Sequence, residues 1–358
     1  MSNQIKIRIY TNKDLLEKRN ELVALDDPDS YITKILSDYG TLLKNNPNYS
    51  KNDICLSLAL DGKTIIGRLE FISSKMHLDS KVFPILWLSG FYLNDKYKNT
   101  GAGAMLLMSG LSGKMPLFAS GWPSKDCQEL YRATGFHEYT LKRYFLFYDI
   151  KKIIQYKLGK NIFSSVLTIL SKIIYNPFLN IFLKLNNYKL LNYKQVSSFS
   201  KNLDYIEQKK DFSYFPVNSP LLNWSIDINQ ENRFPFELYD GISLIGCLLI
   251  NIKIIKNENP NNPNIKIGSL LHYSLDKKYC TTKYKYDILV FCLKFLIKKE
   301  VDAFEVQSFD SDIFQGCKKL LMIKNGGNKI FIKTNKTCKE VLSRKIKFTK
   351  SAGDVLIC

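Results

Sequence analysis

The sequence predicts an α/β (α+β) protein, in which a mixed, mostly antiparallel sheet is flanked by helices and this arrangement is present twice. Residues 5–10 alternate polar and apolar side chains with the period of a β-strand. Asp61 and Gly62 separate two apolar stretches, as the turn of a β-hairpin does. A glycine-containing turn then leads from the apolar run 84–93 into a helical pattern.

The first 150 residues contain these elements in the order β-α-α-β-β-β-α-β-α-β. Strands are expected at 5–10, 54–60, 64–73, 84–93, 116–120 and 139–149, and helices near 13–24, 30–44, 102–112 and 124–134. Ser124 is a typical N-cap for the last helix, and Gly135 is placed to end it.

A similar pattern follows in the second half of the chain. The stretch Asp240–Gly246 resembles Asp61–Gly67, and its two glycines have the same spacing. Strands are expected at 267–275, 302–307 and 329–333, with helices at 286–298 and around Cys317. We therefore predict a unit at 1–150, a basic amphipathic helical linker at 151–204, and a degenerate second unit at 205–358. Two unrelated α+β domains are the alternative.

The composition restricts the partners. The 358 residues include 52 Lys and Arg against 33 Asp and Glu, a net charge of +19, which favours anionic partners. No run of five or six basic residues occurs, so no nucleic-acid partner is expected. The eight cysteines form no CxxC pair and indicate reduced thiols of a cytoplasmic protein. The three histidines lack ligand spacing, so no metal is expected.

The segment 162–183 is largely apolar, with Lys172 as its only charge, and basic residues flank it. Asn176 and Pro177 interrupt it, which predicts two amphipathic helices rather than one membrane span. These helices either pack between the units or lie on a membrane surface. In the second case residues 151–190 attach the protein to the inner face of the membrane.

The turn after residues 84–93 has the features of an anion-binding loop. A strand that feeds a helix through a glycine turn directs several backbone N–H groups at one point, where the helix dipole adds positive charge. Gly101 and Gly103 let the backbone approach an anion, and Lys98 adds a charge. The loop lacks the Gly-Lys-Ser/Thr ending of a P-loop and the third glycine of a dinucleotide fingerprint. A tight helix-starting turn without a ligand is the alternative.

Two motifs resemble the GNAT superfamily of N-acyltransferases. Residues 98–103 are similar to its pyrophosphate loop, Arg/Gln-x-x-Gly-x-Gly/Ala, with Lys98 at the position of Arg or Gln. Residues 130–136 resemble the Tyr-x-x-x-Gly-Phe ending of the last helix of the family. The resemblance covers about residues 1–150.

The resemblance implies acetyl-CoA or another acyl-CoA as cosubstrate. The residues placed to bind it are Phe91, Leu93, Lys98, Asn99, Thr100, Gly101, Ala102, Gly103 and Ala104. A primary amine would attack the thioester directly in a ternary complex, and Tyr131 would protonate the departing thiolate. Tyr131 also shares a helical face with Cys127 and Leu130, which is typical of a core aromatic.

The general base departs from the family pattern. Many relatives carry Glu on the fourth strand, where this sequence has only Ser89. Glu70 on the neighbouring strand alternates with apolar residues and is the candidate base, with a solvated strand-face carboxylate as the alternative. Asp126, Glu129, His137 and water are further candidates.

The second unit is altered at the corresponding points. When Asp95 is aligned with Asp276, Gly101 and Gly103 fall on Thr282 and Tyr284. When Cys127 is aligned with Cys317, Tyr131 falls on Leu321. We therefore predict that the second unit binds no CoA and forms the acceptor side.

The resemblance implies an amine acceptor. The chain is similar to two-domain proteins that acylate an amino sugar on a nucleotide- or lipid-linked precursor in bacterial surface-polysaccharide biosynthesis, and its positive charge suits such an acceptor. An aminoacyl transferase acting on cell-wall precursors is one alternative. A non-catalytic binding module that keeps the fold is another.

Overall fold

A computed structural model defines the fold for most of the chain. It describes residues 5–28, 30–36, 45–78, 81–111, 115, 117–121, 123–159, 181, 184, 190–208, 213–214, 218–334 and 346–347.

The described residues form strands and helices that alternate along the chain. The strands are β1 Lys6–Thr11, β2 Ile54–Asp61, β3 Thr64–Leu78, β4 Lys81–Leu93, β5 Leu117–Gly121, β6 His137–Phe147, β7 Asn192–Gln195, β8 Ser213–Tyr214, β9 Arg233–Asp240, β10 Ser243–Ile255, β11 Ile265–Leu275, β12 Ala303–Ser308, β13 Ile323–Thr334 and β14 Ile346–Lys347. The helices are α1 Asn12–Glu17, α2 Arg19–Val23, α3 Tyr31–Lys34, α4 Ala102–Leu111, α5 Lys125–Ala133, α6 Ile150–Leu158, α7 Leu203–Gln208, α8 Ser219–Ile228, α9 Thr282–Lys298 and α10 Ser311–Lys319.

The strands form one sheet whose order is pseudo-symmetric, with equivalent strands of the two halves on either side of its centre. The order is β1-β2-β3-β4-β5-β13-β6-β12-β11-β10-β9-β7, while β8 and β14 lie off this path. From either end, a meander of antiparallel strands leads to a parallel pair, β4 with β5 and β11 with β12. The predicted fold class, a mostly antiparallel mixed sheet flanked by helices, is therefore confirmed.

The two halves exchange their last strands at the centre of the sheet. β13, from the C-terminal half, lies between β5 and β6 and is antiparallel to both. β6, from the N-terminal half, is antiparallel to β12, with Ala303 opposite Phe147. Each half is therefore completed by backbone hydrogen bonds to the other.

Side chains support this central register. The buried Glu305 of β12 accepts hydrogen bonds from Arg143 of β6 and from Gln307 Nε2, the latter at 2.6 Å. Gln307 in turn accepts one from Asn328 of β13 at 2.9 Å. A one-residue slip of β6 or β13 would bury these groups without their partners, which costs about 1–3 kcal/mol for each group.

The helices cover two faces of the sheet in the N-terminal half. Face 1 carries α4 and α5, whose Leu107 and Tyr131 pack with Phe71 of β3. Face 2 carries α1 to α3, whose Leu22 and Ile32 pack with strand β2. α4 lies close to the sheet because Gly110 has no side chain, and an added Cβ would overlap the Phe71 ring.

The unit limits 1–150, 151–204 and 205–358 stay predictions, because the sheet runs through both units without a break. Of the linker, α6 and β7 are described, whereas the apolar run 162–183, apart from Ile181, lies outside the described residues. Lys152 of α6 binds the buried Asp302 carboxylate at 2.8 Å. None of the helices that the structure describes is long and apolar enough to cross a membrane.

The strand exchange predicts that neither half folds alone. Residues 1–204 produced alone would leave β5 and β6 without β13, and β6 also without β12. We expect this fragment to be aggregated or to lack a cooperative thermal transition, because unpaired strand edges associate non-specifically. Production together with residues 205–358 should give a soluble complex that elutes at the size of the full chain. A monomeric, cooperatively unfolding 1–204 fragment would contradict the exchange.

Candidate active site

The sheet opens between β4 and β5. Their parallel ladder ends at Leu88 and Ser120, but β4 continues to Leu93 while β5 ends at Gly121. Gly90 interrupts the ladder with β3 as a β-bulge, and its φ of +56° lies in the left-handed region that glycine adopts without strain. The end of β4, from residue 89 to residue 93, therefore has a backbone edge that is not paired with β5.

The glycine loop closes one end of this gap. A short 3₁₀ turn, Asp95–Tyr97, follows β4, and Gly101 with φ +82° leads into α4. An added Cβ at Gly101 would meet nothing within 4 Å, whereas one at Gly103 would touch Leu93 and Phe91 at 3.4 and 3.6 Å. The first-turn amides of a helix have no intrahelical acceptor, so this turn presents donors and a positive dipole to an anion.

Lys98 is engaged with carboxylates at the loop. Its Nζ lies 2.8 Å from Asp95 and 3.9 Å from Asp126, and all three side chains are at least half exposed. The hydrogen bond to Asp95 and the charge of that carboxylate raise the pKa of Lys98. Because these three groups sum to one negative charge, attraction of a pyrophosphate depends on the backbone amides more than on Lys98.

Glu70 lies on face 2, beside the bulge. Its side chain is only 7% exposed, and its carboxylate accepts a hydrogen bond from the Tyr31 hydroxyl of α3. A Cβ on Gly90 would overlap this carboxylate, so the missing side chain of Gly90 makes room for it. Glu70 is therefore a buried group at the splayed part of β4 rather than a solvated strand-face carboxylate.

Tyr131 lies on face 1, opposite Glu70. Its ring is buried, with ring centroids 4.9 Å from Phe136 and 5.5 Å from Phe331 of the exchanged strand β13. The same cluster contains Leu88, the last residue of the β4–β5 ladder. Tyr131 is thus a core aromatic by packing, and its role as an acid stays a prediction.

Other candidates for the base have different surroundings. Asp126 is largely exposed and next to Lys98, and Glu129 and His137 are exposed. None of these three residues takes part in the ladders that β3 makes with β2 and β4, where Glu70 lies. Glu70, in contrast, lies directly against the bulge.

Sequence reasoning missed three side chains around Glu70. The Arg68 guanidinium carbon lies 3.5 Å from the centre of the Tyr31 ring and 4.9 Å from that of Tyr92. Arg68 alternates in phase with Glu70, and a charged pair in a buried strand could have been noticed. Tyr31, in contrast, reaches the site from a four-residue helix that is distant in the sequence.

The second unit provides an internal comparison. Tyr97 donates a hydrogen bond to Asp61, and Tyr279 donates one to Asp240, so these residues are equivalent. From this anchor, residues 98–101 precede α4, but only residues 280–281 precede α9. Our alignment of Thr282 and Tyr284 with the two glycines is therefore wrong, because the loop itself is shorter and the glycine turn is missing.

The alignment of the last helices also changes. Ser124 caps α5 and Asp310 caps α10, and the backbone bond from Phe136 to Tyr131 matches that from Met322 to Cys317. Tyr131 is therefore equivalent to Cys317, and the predicted equivalence with Leu321 is wrong. Leu321 instead has φ +55° and takes the place of Gly135.

Internal charges occupy the start of α9. Lys285, with 7% of its side chain exposed, lies 2.7 Å from Asp310 and 2.8 Å from Asp312, and Thr282 donates to Asp312. Burial alone would raise the pKa of Asp310, but Lys285 outweighs it and lowers that pKa. The charges of these three groups sum to one negative charge, as at the start of α4, so they do not distinguish the two helix starts. The missing glycine turn favours the prediction that the second unit binds no CoA, which stays a prediction.

Comparisons with known proteins agree with this geometry at the level of the fold. No family model and no curated protein matches the chain. Among solved structures, a GCN5-related N-acetyltransferase from Anabaena variabilis has a TM-score of 0.53 at 12% identity, over 95% of this chain and 75% of that one. One from Kribbella flavida has a TM-score of 0.51 at 9% identity, over 93% and 71%.

Saccharomyces cerevisiae N-myristoyltransferase with bound myristoyl-CoA has a TM-score of 0.54 at 10% identity, over 93% of this chain and 83% of that one. The chain has the GNAT fold. At these identities the likeness shows the fold alone, and the roles of individual residues stay predictions.

The loop predicts a local effect of Gly101→Val. The left-handed backbone is strained by about 1–3 kcal/mol in a non-glycine residue, and the new side chain would project where the anion binds. We expect the Kd for acetyl-CoA to rise at least about tenfold, equal to 1.4 kcal/mol. Gly241→Val is the matched control, because Gly241 has φ +59° and equally open surroundings in the second unit. Equal Kd values for the two variants would show that the loop does not bind CoA.

The comparison of the units predicts a single coenzyme site. Calorimetric titration of the full chain with acetyl-CoA should saturate at one molecule per chain, because the glycine turn is missing before α9. Saturation at two molecules per chain would show that the second unit binds the coenzyme as well.

Proposed function

We propose that this protein is an acyl-CoA-dependent N-acyltransferase that moves an acetyl or other acyl group to a primary amine. The observation that supports this most strongly is the placement of Glu70 and Tyr131 on opposite faces of a sheet that opens between β4 and β5. An acyl-CoA entering through the gap from the glycine loop would present its thioester to both groups.

The proposed reaction is a direct attack in a ternary complex. Glu70 removes a proton from the ammonium group of the acceptor, and the amine nitrogen then forms a bond to the thioester carbonyl carbon. Backbone N–H groups at the bulge near Gly90 stabilise the oxyanion. The carbon–sulfur bond breaks, and Tyr131 protonates the thiolate of CoA. The nitrogen, which still carries two protons after the attack, releases one of them to water and leaves the neutral amide. Tyr131 regains a proton from solvent, and Glu70 releases its proton there.

For the acceptor we propose an amino sugar on a nucleotide- or lipid-linked precursor of a bacterial surface polysaccharide. The resemblance to two-domain GNAT-like proteins of this kind supports it, as does the net charge of +19, which favours anionic acceptors. The second unit would form the acceptor side. We further propose a cytoplasmic location, with residues 151–190 as the segment that would contact the inner face of a membrane.

The activity is tested by release of free CoA thiol. The full chain would be incubated with acetyl-CoA, and separately with myristoyl-CoA, together with a panel of amines that includes amino-sugar nucleotides. Thiol release above background with an amine, and mass-spectrometric detection of the amide, are the expected results. Absence of thiol release with every amine would contradict the proposed function.

Glu70→Gln tests the base. We expect kcat to fall about 100-fold or more, because the amide cannot accept the proton, while the Kd for acetyl-CoA changes little. Glu138→Gln is the matched control, since Glu138 is a partly exposed carboxylate paired with Arg132 and Lys329 outside the gap. Retention of wild-type kcat in Glu70→Gln would leave water or another group as the base.

A further inference from the structure

The side chain of Arg68 has an unusual environment. Its guanidinium carbon lies over the rings of Tyr31 and Tyr92, 3.5 and 4.9 Å from their centres. Its Nε is buried and has no hydrogen-bond partner among the described residues. A buried donor without an acceptor costs about 1–3 kcal/mol, so the fold alone gives no reason to keep it.

The second unit shows that the sheet does not require this charge. Gly67 and Gly246 are equivalent, so Arg68 corresponds to Cys247 and Glu70 to Leu249. Cys247 and Leu249 lie in an apolar cluster with α7 and α8. These two strand positions thus carry apolar side chains in the unit without a glycine loop, and charged side chains in the unit that has the loop.

Arg68 and Glu70 belong to one group of side chains. They are two residues apart on the same face of β3, about 7 Å between Cα atoms. Tyr31 contacts both, because its ring lies on the guanidinium while its hydroxyl bonds the carboxylate. Arg68 is opposite Tyr92 in the ladder, beyond Leu88 where β4 and β5 have separated. Both residues therefore lie on β3 beside the part of β4 that has separated from β5.

From this geometry we propose that Arg68 binds an oxyanion of the acceptor, a carboxylate or a phosphate, that lies within a few bonds of the reacting amine. This inference rests on the proposed function, in which Glu70 takes the proton of the amine. A guanidinium held against two aromatic rings presents a preorganised fork of donors, which pairs with both kinds of oxyanion. The acceptor would then carry opposite charges about as far apart as Glu70 and Arg68.

Matched pairs of amines test the proposal on the full chain with acetyl-CoA. One arm uses ω-amino carboxylates of increasing length and their carboxamides, and the other uses aminoalkyl phosphates and the corresponding amino alcohols. We expect kcat/KM to be at least about tenfold higher for the anionic member of one pair. The arm with the larger preference identifies carboxylate or phosphate. Equal kcat/KM values for anionic and neutral members in both arms would overturn the proposal.

Arg68→Gln should abolish this preference by raising KM for the anionic amines, with little change for the neutral ones. Arg68→Lys keeps the charge without the planar fork and should recover part of the preference. Arg8→Gln is the control, because Arg8 is half exposed and pairs with Glu21 outside the site. If Arg68→Gln does not fold, the comparison of anionic and neutral amines on the wild-type chain still decides.

A binding measurement separates this proposal from the proposed function. Calorimetric titration of the CoA-loaded chain with the same amines does not depend on turnover. If no amine is acylated, but anionic amines bind and Arg68→Gln loses that binding at least about tenfold, the oxyanion site stands while the acyltransfer fails. If neutral amines are acylated and the anionic members bind no more tightly, the acyltransferase function stands while the oxyanion site fails. The absence of both acylation and binding overturns both.

Discussion

The structure depends on the backbone hydrogen bonds that β13 makes with β5 and β6, and β6 with β12. These ladders join two half-sheets into one, so the core of either half is finished by a strand of the other. Phe331 of β13, for example, packs against Tyr131 of α5. The environment of the candidate acid is therefore set by residues about 200 positions further along the chain.

Comparison of the two units of this pseudo-symmetric sheet distinguishes the features that the fold requires from those that belong to a site. Both units keep the Tyr–Asp hydrogen bond after the fourth strand, the left-handed glycine of the hairpin and the parallel central pair. These features belong to the fold. The glycine turn, Arg68, Glu70 and Tyr131 occur in one unit, and a shorter turn, Cys247, Leu249 and Cys317 replace them in the other. Because the two units share a backbone plan, these differences point to chemistry in the first unit.

The sequence was sufficient for features that depend on neighbouring residues. Alternation placed the strands of the first unit within a few residues of their observed ends, and Ser124 accepts the N-cap hydrogen bond that its type predicts. The glycine loop leads into α4 as expected. The helix expected over 13–24 is instead divided at Lys18, and β3 and β4 are longer than their apolar cores, because pairing with each other extends them.

The features that could not be predicted from the sequence depend on tertiary pairing. The alternation in β6 fits equally well beside β12 or in a hairpin with a strand of its own unit, so the exchange leaves no local signal. The contact of Tyr31 with both Arg68 and Glu70 joins a short helix to a strand more than thirty residues away. The alignment of the second unit was wrong because its loop has a different length, which changes the offset between equivalent residues. Backbone hydrogen bonds that occur in both units show the correct offset.

The position of β13 also has a consequence for synthesis on the ribosome. β6 ends at Phe147, and β13 ends at Thr334. At a translation rate of about 5–20 residues per second, β13 is completed about 10–40 s after β6. During this interval the nascent chain exposes one unpaired edge of β5 and both edges of β6, and the risk of pairing with another chain is greatest then. Translation speed through residues 148–334, and chaperones that bind exposed strands, therefore bear on the yield of the folded protein as directly as the stability of the finished sheet.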